Sequence, residues 1–212
     1  MLATLTVLSY KQTQSYSARE ARLVEMIEKN SILIDLGCGN GSLLEKLIKE
    51  KNVQGQGIEI SKSGVDICKK KGLNILEGKI DEELPFADNA FDYAICNVTI
   101  QMVMYPEILL KEMKRVARFQ IISFPNFAYW HNRLDLLIHG RMPKPMLFGY
   151  EWYLTGHIHQ LSVSDFEKTI REINFKILKR VALHHSKNSF IQLLAKLLPN
   201  VFSTESIYLL EK

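Results

Sequence analysis

Residues 32–41 read Ile32-Leu33-Ile34-Asp35-Leu36-Gly37-Cys38-Gly39-Asn40-Gly41. The opening triplet is short and wholly apolar, which is the pattern of a strand inside a parallel sheet, covered on both faces. Glycines at alternate positions then permit a tight turn and a close approach of backbone to ligand that side chains would block. In Ser42-Leu-Leu-Glu-Lys-Leu-Ile-Lys-Glu50 the apolar Leu43, Leu44, Leu47 and Ile48 recur at helical spacing, and Glu45 and Lys49 are expected to pair one turn apart. Strand, glycine loop and helix N-terminus in direct succession form a unit that delivers backbone to a nucleotide-shaped ligand.

The spacing separates two kinds of ligand. Dinucleotide folds use Gly-x-Gly-x-x-Gly to cradle a pyrophosphate, whereas here the third glycine comes one residue earlier, as Asp35-x-Gly37-x-Gly39-x-Gly41. An acid ahead of the first glycine repels a pyrophosphate and favours a cationic sulfonium or ammonium group. That charge logic points to S-adenosylmethionine, and the motif resembles the first motif of class I S-adenosylmethionine-dependent methyltransferases. Gln56-Gly57-Ile58-Glu59-Ile60 reads as a second strand ending in an acid about twenty residues past the first glycines. A carboxylate there accepts the two neighbouring hydroxyls of a ribose side by side.

The length of 212 residues, with 47% hydrophobic and 24% charged, fits one domain over 1–212 with a full core. The N-terminus lacks the basic n-region of a signal peptide, and no apolar run approaches the roughly 18 residues of a membrane span. A cytoplasmic protein without a membrane partner is expected. Cys38, Cys68 and Cys96 are widely spaced and odd in number, which suggests reduced thiols. The net charge of +4 does not imply nucleic acid. Lys69-Lys70-Lys71 closes a helical segment before Gly72, where cations complement the helix dipole and glycine caps, and no stripe of basic and aromatic residues interleaves.

Strand and helix alternate along the chain, which predicts a doubly wound α/β Rossmann-like sheet, mostly parallel, with its ligand at the carboxyl ends of the strands. An N-terminal arm (1–17) leads into a helix over Ala18–Lys29. The remaining expected elements are a helix over Ser63–Lys71, strands at Leu73–Leu76, Phe91–Asn97 and Gln120–Phe124, and a helix from Pro106 to about Arg115. Ser164-Asp-Phe-Glu167 reads as a capping box. Two late apolar strands, Phe175–Lys179 and Ile207–Leu210, suit an antiparallel pair that finishes the sheet.

Residues 77–92 resemble the methyltransferase segment that holds the adenine. The family commonly places Gly-Asp there, whereas this chain has Gly78-Lys79, and Asp81 stands two residues on as a substitute acceptor. The cofactor-binding candidates are therefore Asp35, Gly37, Cys38, Gly39, Gly41, Glu59, Ile60, Ile80, Asp81 and Asn97. Residues 123–160 hold Trp130, Trp152, Tyr129, Tyr150, Tyr153 and four of the six histidines, a density expected over the cofactor as an acceptor pocket or partner face.

The glycine loop combines with Phe91-Asp-Tyr-Ala-Ile, Thr99-Ile-Gln, Ser123-Phe-Pro-Asn-Phe, Gly140-Arg-Met-Pro, Tyr150-Glu-Trp-Tyr, His157-Ile-His159 and Asp165-Phe-Glu. Together they resemble the methionine biosynthesis protein MetW family from about Ala21 to Glu211, with departures at Asn40 and Lys79, where the family usually has Asp. The resemblance implies a methyltransferase fold binding S-adenosylmethionine or S-adenosylhomocysteine, linked to homoserine acylation alongside a homoserine O-acyltransferase partner. The alternative is a catalytic methyltransferase on a small-molecule acceptor.

No catalytic residue is identified. Methyl transfer needs chiefly alignment, so little signature is required. His157 and His159, two apart in an extended chain, point to opposite faces, and no nearby Cys or acid completes a metal site. The absence of a Gly-x-Ser-x-Gly elbow argues against this chain being the acyltransferase itself.

Overall fold

The computed structural model describes residues 18–143, 156–184, 186 and 188–212. Seven strands form one sheet in the order β3-β2-β1-β4-β5-β7-β6. The strands are β1 (Ile32–Leu36), β2 (Gln54–Glu59), β3 (Asn74–Glu77), β4 (Phe91–Asn97), β5 (Ala117–Pro125), β6 (Lys176–Leu183) and β7 (Glu205–Glu211). The pairs from β3 to β5 are parallel, and β7 runs antiparallel to both β5 and β6. The mostly parallel, doubly wound α/β sheet and its antiparallel closure are as the sequence predicts.

Helices cover both faces. They are α1 (residues 18–26), α2 (Ser42–Lys51), α3 (Lys62–Lys70), α4 (Pro106–Val116), α5 (Trp130–His139), α6 (Val163–Glu172), α7 (Ser189–Leu197) and the single turn α8 (Pro199–Phe202). Alternation along β1 decides which core each residue joins. Ile34 and Leu36 pack into the core shared with Leu109, Leu110 and Met113 of α4 and Phe166 and Ile170 of α6. Leu33 packs with Leu23 of α1 and Leu44 and Leu47 of α2. Asp35, on the same side as Leu33, is thereby carried into the α1–α2 layer and is 2% exposed.

Several local expectations shift. The described part of α1 ends at residue 26, short of Lys29, because Asn30 takes a positive φ of 60° and turns the chain into β1. The cap of α6 is Ser162, two residues before the expected Ser164, and its side chain accepts from Asp165 N–H. Glu45 pairs with Lys71 at 2.9 Å across to α3 in place of Lys49. Helices α5, α7 and α8 had no counterpart in the sequence reading. No helix among the described residues is long and apolar enough to cross a membrane.

Candidate functional site

The sheet order reverses at β1, which lies between β2 and β4, and the glycine loop leaves the carboxyl end of β1 there. Such a switch point leaves a crevice between loops departing in opposite directions. Gly37, Gly39 and Gly41 all have positive φ, at 77°, 58° and 73°. The loop is stitched to β2, since Gly37 N–H and Cys38 N–H both donate to Ile58 O, at 2.9 and 3.1 Å. A Cβ placed on Gly39 would meet nothing within 4 Å, so open space lies over this turn.

Glu59 organises the loop from the end of β2. It is 8% exposed; Oε2 accepts from Gly39 N–H and Oε1 from Ser61 N–H, both at 2.8 Å. Each carboxylate oxygen keeps a second acceptor position, so the capacity to accept a diol is not exhausted. Ile60, next in sequence, is 66% exposed, an apolar side chain standing free beside the carboxylate.

Asp35 is a buried carboxyl group whose surroundings disfavour its charge. Burial and the nearby charge of Glu59 push its carboxyl up to about 7, and no hydrogen bond among the described residues offsets them. Cys38 is buried, with Sγ 2.8 Å from where a Cβ on Gly57 would sit, and burial pushes its thiol up. Asn40, the departure from the family's Asp, precedes Gly41, the N-cap of α2, and its Oδ1 accepts from Ser42 N–H at 3.1 Å and from the Ser42 hydroxyl at 2.7 Å.

The segment over residues 77–92, expected to hold an adenine, is tied to α4. Arg115 of α4 donates to Leu84 O and Phe86 O, while Glu112 accepts from Leu84 N–H at 2.8 Å. Lys79 is exposed and Ile80 buried at 6%. Asp81 is committed at one oxygen, because Oδ2 accepts from Met104 N–H at 2.8 Å and Tyr105 N–H at 3.2 Å at the start of α4. No hydrogen bond is made to Oδ1 among the described residues. Asn97 ends β4 beside Ser123 of β5, whose hydroxyl donates to Asn97 Oδ1 at 2.7 Å.

Three contributors to the site escaped the sequence reading. Thr99 Oγ1 lies 3.2 Å from Asn97 O and 3.4 Å from Gly37 O, wedging the chain after β4 against the glycine loop. Val98, between them, has φ +64°, an outlying conformation for a β-branched residue, held by its N–H donating to Ser123 O at 3.0 Å. Gly64 in α3 brings that helix against the loop, since a Cβ there would stand 2.8 Å from Gly39 O. A glycine inside a helix was a legible signal of close approach; Val98 carried none.

In the aromatic segment, Tyr129 OH lies 3.1 Å from His184 Nε2 and the Tyr129 ring stands by those of Trp130 and His131. Tyr150, Trp152 and Tyr153 lie outside the described residues. Arg133 donates within the chain to Ala128 O and Asn200 O, and Arg141 is exposed. His157 is 6% exposed whereas His159 is half-buried, and no group of metal-ligating residues gathers among the described residues.

Comparison with known proteins fits this geometry. The chain is 34% identical over 168 residues, 74% of its length, to the bifunctional methionine biosynthesis protein MetXA/MetW of Rhodopirellula baltica. It spans 27% of that protein, and 38% and 51% of two further curated relatives. Among solved structures, an S-adenosylmethionine-dependent methyltransferase from Thermotoga maritima superimposes with a TM-score of 0.66 at 18% identity, covering 100% of this chain and 96% of that one. The [4+2]-cyclase SpnF does so with a TM-score of 0.63 at 17% identity, covering 90% and 80%. These likenesses establish the fold, and the second shows that it is not confined to proteins named as methyltransferases. The family model for methionine biosynthesis protein MetW matches residues 18–210, and the chain belongs to that family.

Proposed function

We propose that this chain binds S-adenosylmethionine, or S-adenosylhomocysteine, in the crevice over β1 and β2, and acts in methionine biosynthesis together with a homoserine O-acyltransferase. The observation that carries the cofactor reading is Asp35, buried at 2% with no hydrogen bond to its carboxylate among the described residues. A buried, unpaired acid is costly in isolation and is balanced by a cationic ligand. The residues present suit the group: Gly39 leaves open space, Glu59 faces the ribose, and Ile60 and Ile80 flank the adenine, with Asp81 Oδ1 as its acceptor. Bound S-adenosylmethionine supplies an electrophilic methyl group on a sulfonium; this chain's own contribution is to hold it and to exclude water from its charged end.

The partnership rests on family membership and on the Rhodopirellula relative, in which a region like this chain is part of a bifunctional protein named MetXA/MetW. An accessory protein sensitive to S-adenosylmethionine would couple a late product of sulfur metabolism to an early step.

Calorimetric titration with S-adenosylmethionine tests the site, with Gly39→Arg as the blocked form. Micromolar one-to-one binding, lost in Gly39→Arg, is the expected result; no heat with the native chain overturns the cofactor reading. Co-purification with untagged homoserine O-acyltransferase tests the partnership separately, and its failure at micromolar concentrations of both proteins overturns that part. Formation of S-adenosylhomocysteine with a small acceptor would establish the catalytic alternative.

A further inference from the structure

Gly64 is buried in the first turn of α3, and its φ is not positive, so the backbone there does not call for glycine. Inside a helix glycine is a poor choice beside alanine, because it gives up more backbone entropy on folding. The reason for it lies in what the helix touches. A Cβ at this position would stand 2.8 Å from Gly39 O and 2.9 Å from Glu59 Cγ. Neither neighbour is free to give way. Gly39 is held at both its main-chain groups, with N–H donating to Glu59 Oε2 at 2.8 Å and O accepting from Cys68 Sγ at 3.4 Å, one turn along α3 from Gly64. The Glu59 stem is held because its other oxygen, Oε1, accepts from Ser61 N–H at 2.8 Å.

We propose that Gly64 is a positioning residue of the nucleoside site: its bare surface lets α3 close on the Gly39 main chain and the Glu59 stem together, and so fixes the direction in which the Glu59 carboxylate meets a ribose diol. For the identity of the ligand this rests on the cofactor reading. A glutamate free to rotate loses side-chain entropy when it binds, whereas one already held gives its hydrogen bonds at little further cost. Selectivity follows from the same rigidity. A carboxylate that cannot swing aside is left facing an unfilled position when the sugar lacks a hydroxyl, and a site built to hydrogen-bond a hydroxyl rejects the analogue without it.

Gly64→Ala adds one methyl group where α3 meets the loop, and Asp66→Ala, at an exposed position of the same helix, is the control. Amide hydrogen exchange of the isotope-labelled chain without ligand reads the loop. In Gly64→Ala the Gly39 N–H should lose protection at least about tenfold, the worth of one hydrogen bond, while amides of β1, β4 and β5 keep theirs. Calorimetry reads the site. The native chain should bind S-adenosylhomocysteine at least about tenfold more tightly than its 2′-deoxy analogue, and Gly64→Ala should bring the two affinities to near equality. Asp66→Ala should behave as the native chain in both measurements. The proposal is overturned if Gly64→Ala keeps the Gly39 protection or the preference for the intact ribose, if the native chain binds both ligands equally, or if Asp66→Ala has the same effects. It is overturned as well if Gly64→Ala strips protection from the strands too, which would make Gly64 a packing residue only. Failure of the native chain to bind either ligand falls instead on the cofactor reading, and the exchange at Gly39 still decides whether Gly64 holds the loop.

Discussion

Gly39 and Glu59 are joined by a 2.8 Å hydrogen bond from the loop N–H to Oε2, so the carboxylate read as a ribose acceptor is also the brace of the glycine loop. Its other oxygen holds Ser61 N–H at the same distance, fixing the entry to α3. The proposed ribose acceptor and the brace of the loop are therefore one group, and removing the carboxylate is expected to damage both. Glu59→Ala should lower stability by about 1–3 kcal/mol, the cost of leaving partly buried N–H donors unpaired, and should abolish detectable S-adenosylmethionine binding. Urea unfolding and calorimetry check the two effects. A variant as stable as the native chain would show that the two bonds contribute nothing to the fold.

Asp35 makes stability depend on pH in an unusual direction. Burial and the charge of Glu59 raise its pKa from 3.8 to about 7. Between those values the folded chain holds a proton that the unfolded chain has lost, so this group's contribution to stability falls as pH rises through that interval. Its cost is fully present above the folded value. Asp35→Asn cannot ionise, and should raise Tm at pH 8 by at least about 2–4 °C, with the gain disappearing near pH 4. The same variant loses the charge opposite a cationic cofactor, so S-adenosylmethionine affinity should fall at least about tenfold. Affinity of the native chain should weaken as pH drops below 7. A Tm gain equal at both pH values would refute the assignment.

The sequence made the switch point legible because glycine spacing, strand polarity and acid position are backbone requirements, written one residue at a time. Gly37, Gly39 and Gly41 all sit at positive φ, and Glu59 ends its strand, as the spacing implies. Side-chain commitments are different, because partners distant in sequence decide them. Nothing around Asp81 announced that Met104 N–H and Tyr105 N–H would take Oδ2, and nothing around Glu45 announced Lys71. Helix α5 escaped for another reason. Its apolar residues do not gather into one stripe, and Leu137 and Ile138 remain 80% and 70% exposed, so the periodic signal that reveals a packed helix is weak.

Thiol chemistry follows from the same burial. Cys96 is fully buried and its thiol is pushed up to about 12, and burial also raises Cys38 and Cys68. Thiolate is the reactive form, so at pH 8 a disulfide reagent such as dithiobis(nitrobenzoate) should label none of the three cysteines of the folded chain on the timescale that labels all of them in denaturant. Rapid labelling of Cys38 under native conditions would show that the glycine loop opens freely.

Arg19 of α1 and Glu205 at the start of β7 pair at 2.8 Å with side chains only 2% and 4% exposed. Arg22 and Glu25 pair at the same distance with both side chains 53% exposed. Equal geometry in unequal surroundings separates distance from environment. Breaking the buried pair removes a charge-assisted hydrogen bond from a place that water does not reach, so Arg19→Met should cost about 1.5–3 kcal/mol. Arg22→Met should leave stability unchanged, because water and salt already screen that pair. Denaturant unfolding of the three proteins, native included, decides it. Equal costs in the two variants would show that burial adds nothing to the pair.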